Sequence, residues 1–99
     1  MARQRSTTRD GKAFDYRTIQ LVWEKGRENE KYDSGVWRYD GCGSWMRRQE
    51  YGNVSSRHGW EIDHVRPVVQ AGADDLGNLQ PLQWENNRAK GDTHPWDRR

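Results

Sequence analysis

The hydrophobic pattern divides the chain into a helical stretch, an aperiodic aromatic stretch, and a strand, loop, strand and helix in succession. In "FDYRTIQLVWEKG", Ile19, Val22 and Trp23 share one helical face. Asp15 stands at the N-cap position. Phe14 before it and Ile19 at the fourth helical position form a hydrophobic staple, and Gly26 is the expected stop. "VWRYDGCGSWMRRQEYGN" has no helical period, and Gly41, Gly43 and Gly52 break it into one or two strands with tight turns. "HGWEIDHVRPVV" is the strongest strand candidate, with Pro67 limiting it. "QAGADDLGN" reads as a loop. "LQPLQ" reads as a short second strand, placed at an edge by Pro81. "WENNRAK" suits about two helical turns closed by Gly91.

The length of 99 residues predicts one domain. Hydrophobic residues make up 31% and charged residues 32%, which is thin for a self-supporting core. Six tryptophans offset this, since each can bury a large area. The net charge of +2 is uneven: residues 1–12 carry a net +3 from Arg3, Arg5, Arg9 and Lys12 against Asp10. They read as a flexible basic arm, either a phosphate-binding tail or a solvated terminus, ahead of a folded domain over residues 13–99. The single cysteine, Cys42, excludes an intramolecular disulfide and any zinc site built on two or more cysteines. No apolar run reaches membrane-spanning length and no leader pattern is present, so no membrane partner and an intracellular, cytoplasmic location are expected.

The chemistry candidates cluster in the second half. Asp63 and His64 are adjacent within the apolar run "WEIDHV", where unpaired charge is costly. Asn78 follows His64 by 14 residues, at the end of the loop, and Asn87 follows nine later, on the final helix. Alone, His64 reads as a core histidine and Asn87 as a solvated helix residue. Together, in "WEIDHVRPVVQAGADDLGNLQPLQWENNRAKGD", they resemble the HNH endonuclease family: Asp-His, Pro67, a Gly- and Asp-containing loop, "NLQPL", then Asn87 with Lys90 three residues on. The upstream "YDGCGSWMRRQEYGN" also looks like the segment that precedes this motif in short members.

The resemblance implies an α+β fold. A ββα-metal core over about residues 58–92 would follow a short helix and an irregular strand-rich segment. It implies that His64 is the general base, that Asp63 and Asn87 are metal ligands, and that Asn78 holds the loop against the histidine strand. The residue types suit phosphodiester hydrolysis. A neutral imidazole can take a proton from water. Two hard oxygen ligands favour Mg²⁺ or Mn²⁺ over Ni²⁺ or Zn²⁺. Lys90, Arg88, Arg66, Arg47 and Arg48 are the candidate phosphate contacts, against the plainer reading of a solvated surface. Glu61, two residues before Asp63, would position a ligand or pair with a basic side chain.

Two features sit awkwardly. Strand alternation sends Asp63 and His64 to opposite faces, so a shared phosphate requires the strand to bend or end there. Many members carry cysteine pairs for a structural zinc, whereas here Gln83 and Asn86 stand where one pair would fall. Tryptophans, Trp84 among them, are the expected replacement as packing.

The expected activity is metal-dependent DNA cleavage with weak sequence preference. The alternatives are a non-catalytic nucleic-acid-binding module, or a nuclease subunit of a phage packaging or mobile-element assembly. DNA is the expected partner, a homodimer or larger assembly is compatible with it, and a bacterial or phage source suits such a protein.

Overall fold

The computed structural model describes residues 4–97; the first three residues of the basic arm, including Arg3, lie outside them. The architecture is α+β, with two helices and two small antiparallel sheets. Helix α1 spans Tyr16–Trp23. Asp15 caps it by accepting from the Thr18 backbone N–H at 2.8 Å. This bond holds the Asp15 carboxyl below the ordinary carboxylate range. Phe14 and Ile19 both pack into the core, as a staple requires. The helix ends before Gly26, which serves a different purpose. A Cβ there would lie 2.9 Å from the Cβ of Arg38, so the glycine admits a close chain crossing.

Strands β1 (Trp37–Tyr39) and β2 (Trp45–Arg47) form a hairpin in which Tyr39 faces Trp45. Strands β3 (Trp60–His64) and β4 (Leu79–Gln83) form the second sheet, pairing Ile62 with Pro81 and His64 with Leu79. Pro81 has no N–H to donate, which a strand with a single neighbour tolerates. Helix α2, Trp84–Lys90, follows β4 directly. The Gln83 side chain accepts from the Glu85 and Asn86 N–H groups at its start, and Gly91, at φ 53°, closes it.

Trp60 and Ile62 point from β3 into the main core with Trp23, Val22, Met46 and Leu79. The Trp60 ring sits 5.2 Å from Trp23 and 4.9 Å from Tyr51, and its indole N–H reaches the Arg48 carbonyl at 3.2 Å. Entry into β3 is crowded: a Cβ on Gly59 would come within 1.7 Å of the Asn53 carbonyl oxygen.

Asp40 joins the β1–β2 turn to the start of α2. The residue is 3% exposed. One carboxylate oxygen accepts from the Cys42 and Ser44 N–H groups, both at 2.9 Å, and shapes the β1–β2 turn. The other accepts from the Gln83 N–H at 2.9 Å and the Asn86 amide at 2.8 Å, at the junction of β4 and α2. Gln83 and Asn86 are the residues that the sequence resemblance sets at cysteine positions. Trp84, between them, donates from its indole to the Ser56 carbonyl at 2.8 Å. A buried carboxylate network thus joins aromatic packing at this junction.

Removing this carboxylate strands several buried donors. Asp40→Ala is expected to cost about 3 kcal/mol of folding free energy, with Asp40→Asn intermediate. Urea unfolding measures it; a loss below about 1 kcal/mol would show that the junction holds by packing alone.

Candidate active site

All five residues of β3 are buried, three of them ionisable. Strand alternation holds without a bend. Trp60, Ile62 and His64 face the core side. Glu61 and Asp63 face α2, where the chain supplies them with partners. The Asn87 amide donates to Glu61 Oε1 at 2.9 Å. This leaves the Asn87 side-chain carbonyl oxygen as an acceptor for another partner. The Lys90 ammonium lies 3.3 and 3.2 Å from the two Asp63 oxygens and donates to the His64 carbonyl at 3.0 Å. Gln80, directly across the sheet, donates to Asp63 Oδ2 at 2.9 Å. Burial pushes the Asp63 carboxyl above its ordinary range, against the pull of Gln80 and Lys90.

His64 ends the strand on the other face. Its Nε2 lies 2.7 Å from Asp74 Oδ1, and its ring packs near Phe14 at 6.0 Å between centroids. Asn78 ties the loop to the strand end: its carbonyl oxygen accepts from the Arg66 N–H at 2.9 Å, and its amide donates to the Arg66 and Ala73 carbonyls. The Asn78 carbonyl of the main chain also accepts from the Val65 N–H at 2.8 Å. These bonds end the strand at His64 and turn the chain away.

The edge of β3 opposite β4 opens on a cleft of about 1130 Å³ lined by Glu61, Asp63, His64, Asn87 and Arg88. Residues 4–14 form its facing wall, with Arg5 and Arg9 among its lining residues. An open edge is how side chains from both faces of a strand reach one space. Among the candidate phosphate contacts, Arg88 is exposed at the cleft, its guanidinium 5.1 Å over the Trp84 ring. Arg66 and Arg47 are exposed outside it. Arg48 is bonded to Gln20 at 2.9 Å. Lys90, 3% exposed, faces Asp63 rather than solvent.

Among the described residues, no group of three or more His, Cys, Asp or Glu side chains is placed to hold a metal. The available set is two carboxylates, Glu61 and Asp63, with the Asn87 amide oxygen. Such hard oxygens fit a cation that keeps several waters, in the manner of Mg²⁺ or Mn²⁺. The Lys90 ammonium already neutralises Asp63, so a metal there would share that carboxylate with it. Asp74 and the wall from residues 4–14 were not among the expected site residues, because no local pattern marks either as a neighbour of His64.

The raised Asp63 value has a sign for stability. The folded state holds this proton more tightly than the unfolded chain, so the contribution is present below the ordinary aspartate value and is lost as pH rises through the raised one. Lys90→Met removes a cation that opposes the shift. Its stability deficit is expected to be small near pH ~3 and to grow to about 3 kcal/mol near pH ~7. Denaturant unfolding at a series of pH values measures it, and a deficit independent of pH would contradict the pairing.

No helix among the described residues is long and apolar enough to cross a membrane. Comparison with curated proteins and with solved structures gave no match. A family model described as HNH endonuclease matches residues 42–93, from the β1–β2 turn through α2. That span holds β3, β4, α2 and every residue that meets Asp63 and Asn87 above, and it is more than half the chain: the protein belongs to the HNH endonuclease family.

Proposed function

We propose that the protein is a metal-dependent DNA endonuclease that hydrolyses phosphodiester bonds with weak sequence preference. The observation that carries this reading is the meeting of His64, Asp63, Glu61 and Asn87 along one cleft at the open edge of β3.

His64 acts as the general base. Its Nε2 is engaged by Asp74. The Nδ1 lone pair is therefore the one that takes the proton from the attacking water. The oxygen so activated forms a new bond to phosphorus as the bond to the 3′ oxygen breaks. Asp63 and Asn87, with Glu61 beside them, hold the divalent ion. When bound, that ion stabilises charge on the scissile phosphate and the leaving oxygen. Lys90 orients Asp63 and balances its charge. Asn78 keeps the strand end in register with the loop. Arg88 contacts a substrate phosphate in the cleft, and the exposed Arg47 and Arg66, with Arg48, extend the cationic surface to the flanking backbone. One such site cuts one strand per encounter, so a monomer nicks and a two-fold dimer cuts both strands.

Cleavage of supercoiled plasmid in EDTA, Mg²⁺, Mn²⁺, Ni²⁺ and Zn²⁺ tests the reading. Nicking in Mg²⁺ or Mn²⁺ is expected, and His64→Ala should lower its rate by about 100-fold or more while DNA affinity is kept. Asp63→Ala and Asn87→Ala should instead weaken metal binding, as read by calorimetry with Mn²⁺. Normal DNA binding with no cleavage in any metal would favour a binding module, and activity appearing only with a second protein would favour a subunit of a larger assembly.

Affinity for DNA should be dominated by phosphate contacts. Log affinity is expected to fall linearly with log salt, by about 0.9 per phosphate neutralised. A slope near zero would contradict a phosphate-led interface.

A further inference from the structure

The segment before α1 is built into the wall of the cleft. Thr7 pairs with Ala13, the Gly11 N–H reaches the Thr8 carbonyl at 2.8 Å, and Gly11 adopts φ 81°, so residues 7–13 form a tight turn. Ser6, at φ 56°, presents its hydroxyl to two elements at once. It accepts from the Ile62 N–H on the open edge of β3 at 2.9 Å and bonds the Tyr51 hydroxyl at 2.8 Å. The Arg9 backbone N–H then meets both carboxylate oxygens of Asp74, at 2.9 and 3.1 Å. Asp74 in turn holds His64 Nε2 at 2.7 Å. Phe14, at the end of the same segment, packs near the imidazole.

We infer that Asp74 is a positioning residue for His64, and that residues 6–9 hold Asp74 in place. The inference rests on His64 being the base of the proposed reaction. The physical argument concerns the tautomer. A carboxylate only accepts, so it fixes the proton on Nε2 and leaves Nδ1 as the basic nitrogen. Asp74 sits on a loop with its side chain 39% exposed. The fork onto the Arg9 N–H fixes the direction in which its carboxylate meets the ring. Residues 6–9 thereby become part of the site rather than a tether beside it.

Asp74→Ala and Asp74→Asn together separate this role from a merely structural one. The Asp74 oxygen nearer the Arg9 N–H is Oδ1, the atom that also meets His64 Nε2. Asp74→Asn can place its amide oxygen there and keep the proton on Nε2, whereas Asp74→Ala leaves no acceptor. The His64 tautomer is read in the metal-free full-length protein by long-range ¹H–¹⁵N correlation, assigned with His64→Ala. The expected result is Nε2–H in the wild type and in Asp74→Asn, and a mixture of Nε2–H and Nδ1–H in Asp74→Ala. With DNA and Mn²⁺, kcat should fall by about 100-fold in Asp74→Ala with KM little changed, and Asp74→Asn should restore most of it. A wild-type Nδ1–H tautomer, an unchanged tautomer in Asp74→Ala, or an unchanged kcat there would overturn the inference. If the wild type cleaves nothing, the proposed activity fails and the tautomer shift alone decides the Asp74 assignment.

Discussion

Complete burial of β3 is the constraint around which the rest of the domain is arranged. A five-residue strand carrying Glu61, Asp63 and His64 cannot be buried unless each ionisable group finds a partner. The fold supplies them from three directions: α2 brings Asn87 and Lys90, β4 brings Gln80, and the loop brings Asp74. Among the described residues no buried side-chain polar atom is left without a hydrogen bond. The short helix therefore does more than cover a sheet face. Its length and register place a neutral amide opposite one carboxylate and an ammonium opposite the next, one turn apart.

A domain with so few apolar residues must hold its two halves together by other means. The carboxylate of Asp40 receives donors from both sides of the junction between the β1–β2 turn and α2. A metal bound by cysteines contributes fixed geometry through directed bonds, and a buried carboxylate with four donors does the same through charge-assisted ones. The aromatic residues serve the other side of the molecule. Trp60 packs against Trp23 and Tyr51 behind the site, and Tyr39 stacks on Trp45 at 4.0 Å in the hairpin. The site strand is thus braced from behind by rings and at its flank by hydrogen bonds, while its other edge, bridged by Tyr51 at Trp60 and bonded by Ser6 at Ile62, faces the cleft.

The cost of this arrangement falls on Asp63, whose carboxyl is driven up by burial. Carboxyls driven up by burial in a cleft are concentrated at functional sites, and structural ion pairs produce them too. Two carboxylates and an amide oxygen lie on one face of the strand, with the Lys90 ammonium offsetting their charge. The opposite face of the same strand end presents an imidazole with one nitrogen engaged by Asp74. Strand alternation keeps the two sets on separate faces, and both line the one cleft.

Local patterns were enough to read the elements. Asp15 before an apolar stripe marks α1, β-branched and aromatic content limited by Pro67 marks β3, Pro81 makes β4 an edge strand, and Gly91 closes α2, because each depends on residues a few positions apart. The spacing of Asp63, His64, Asn78 and Asn87 was legible as a family pattern for the same reason. The partners of those residues were not. Lys90 reads as a phosphate contact in sequence, yet it lies buried against Asp63, 27 positions away. Asp40 meets Gln83 and Asn86 from more than 40 positions away, and Arg9 meets Asp74 from 65. By itself the sequence determined which segments become helix and strand, and which family the chain belongs to. Only the tertiary structure decided which of them touch, because burial forces each charged group to find its complement wherever the folded chain brings one within hydrogen-bond reach.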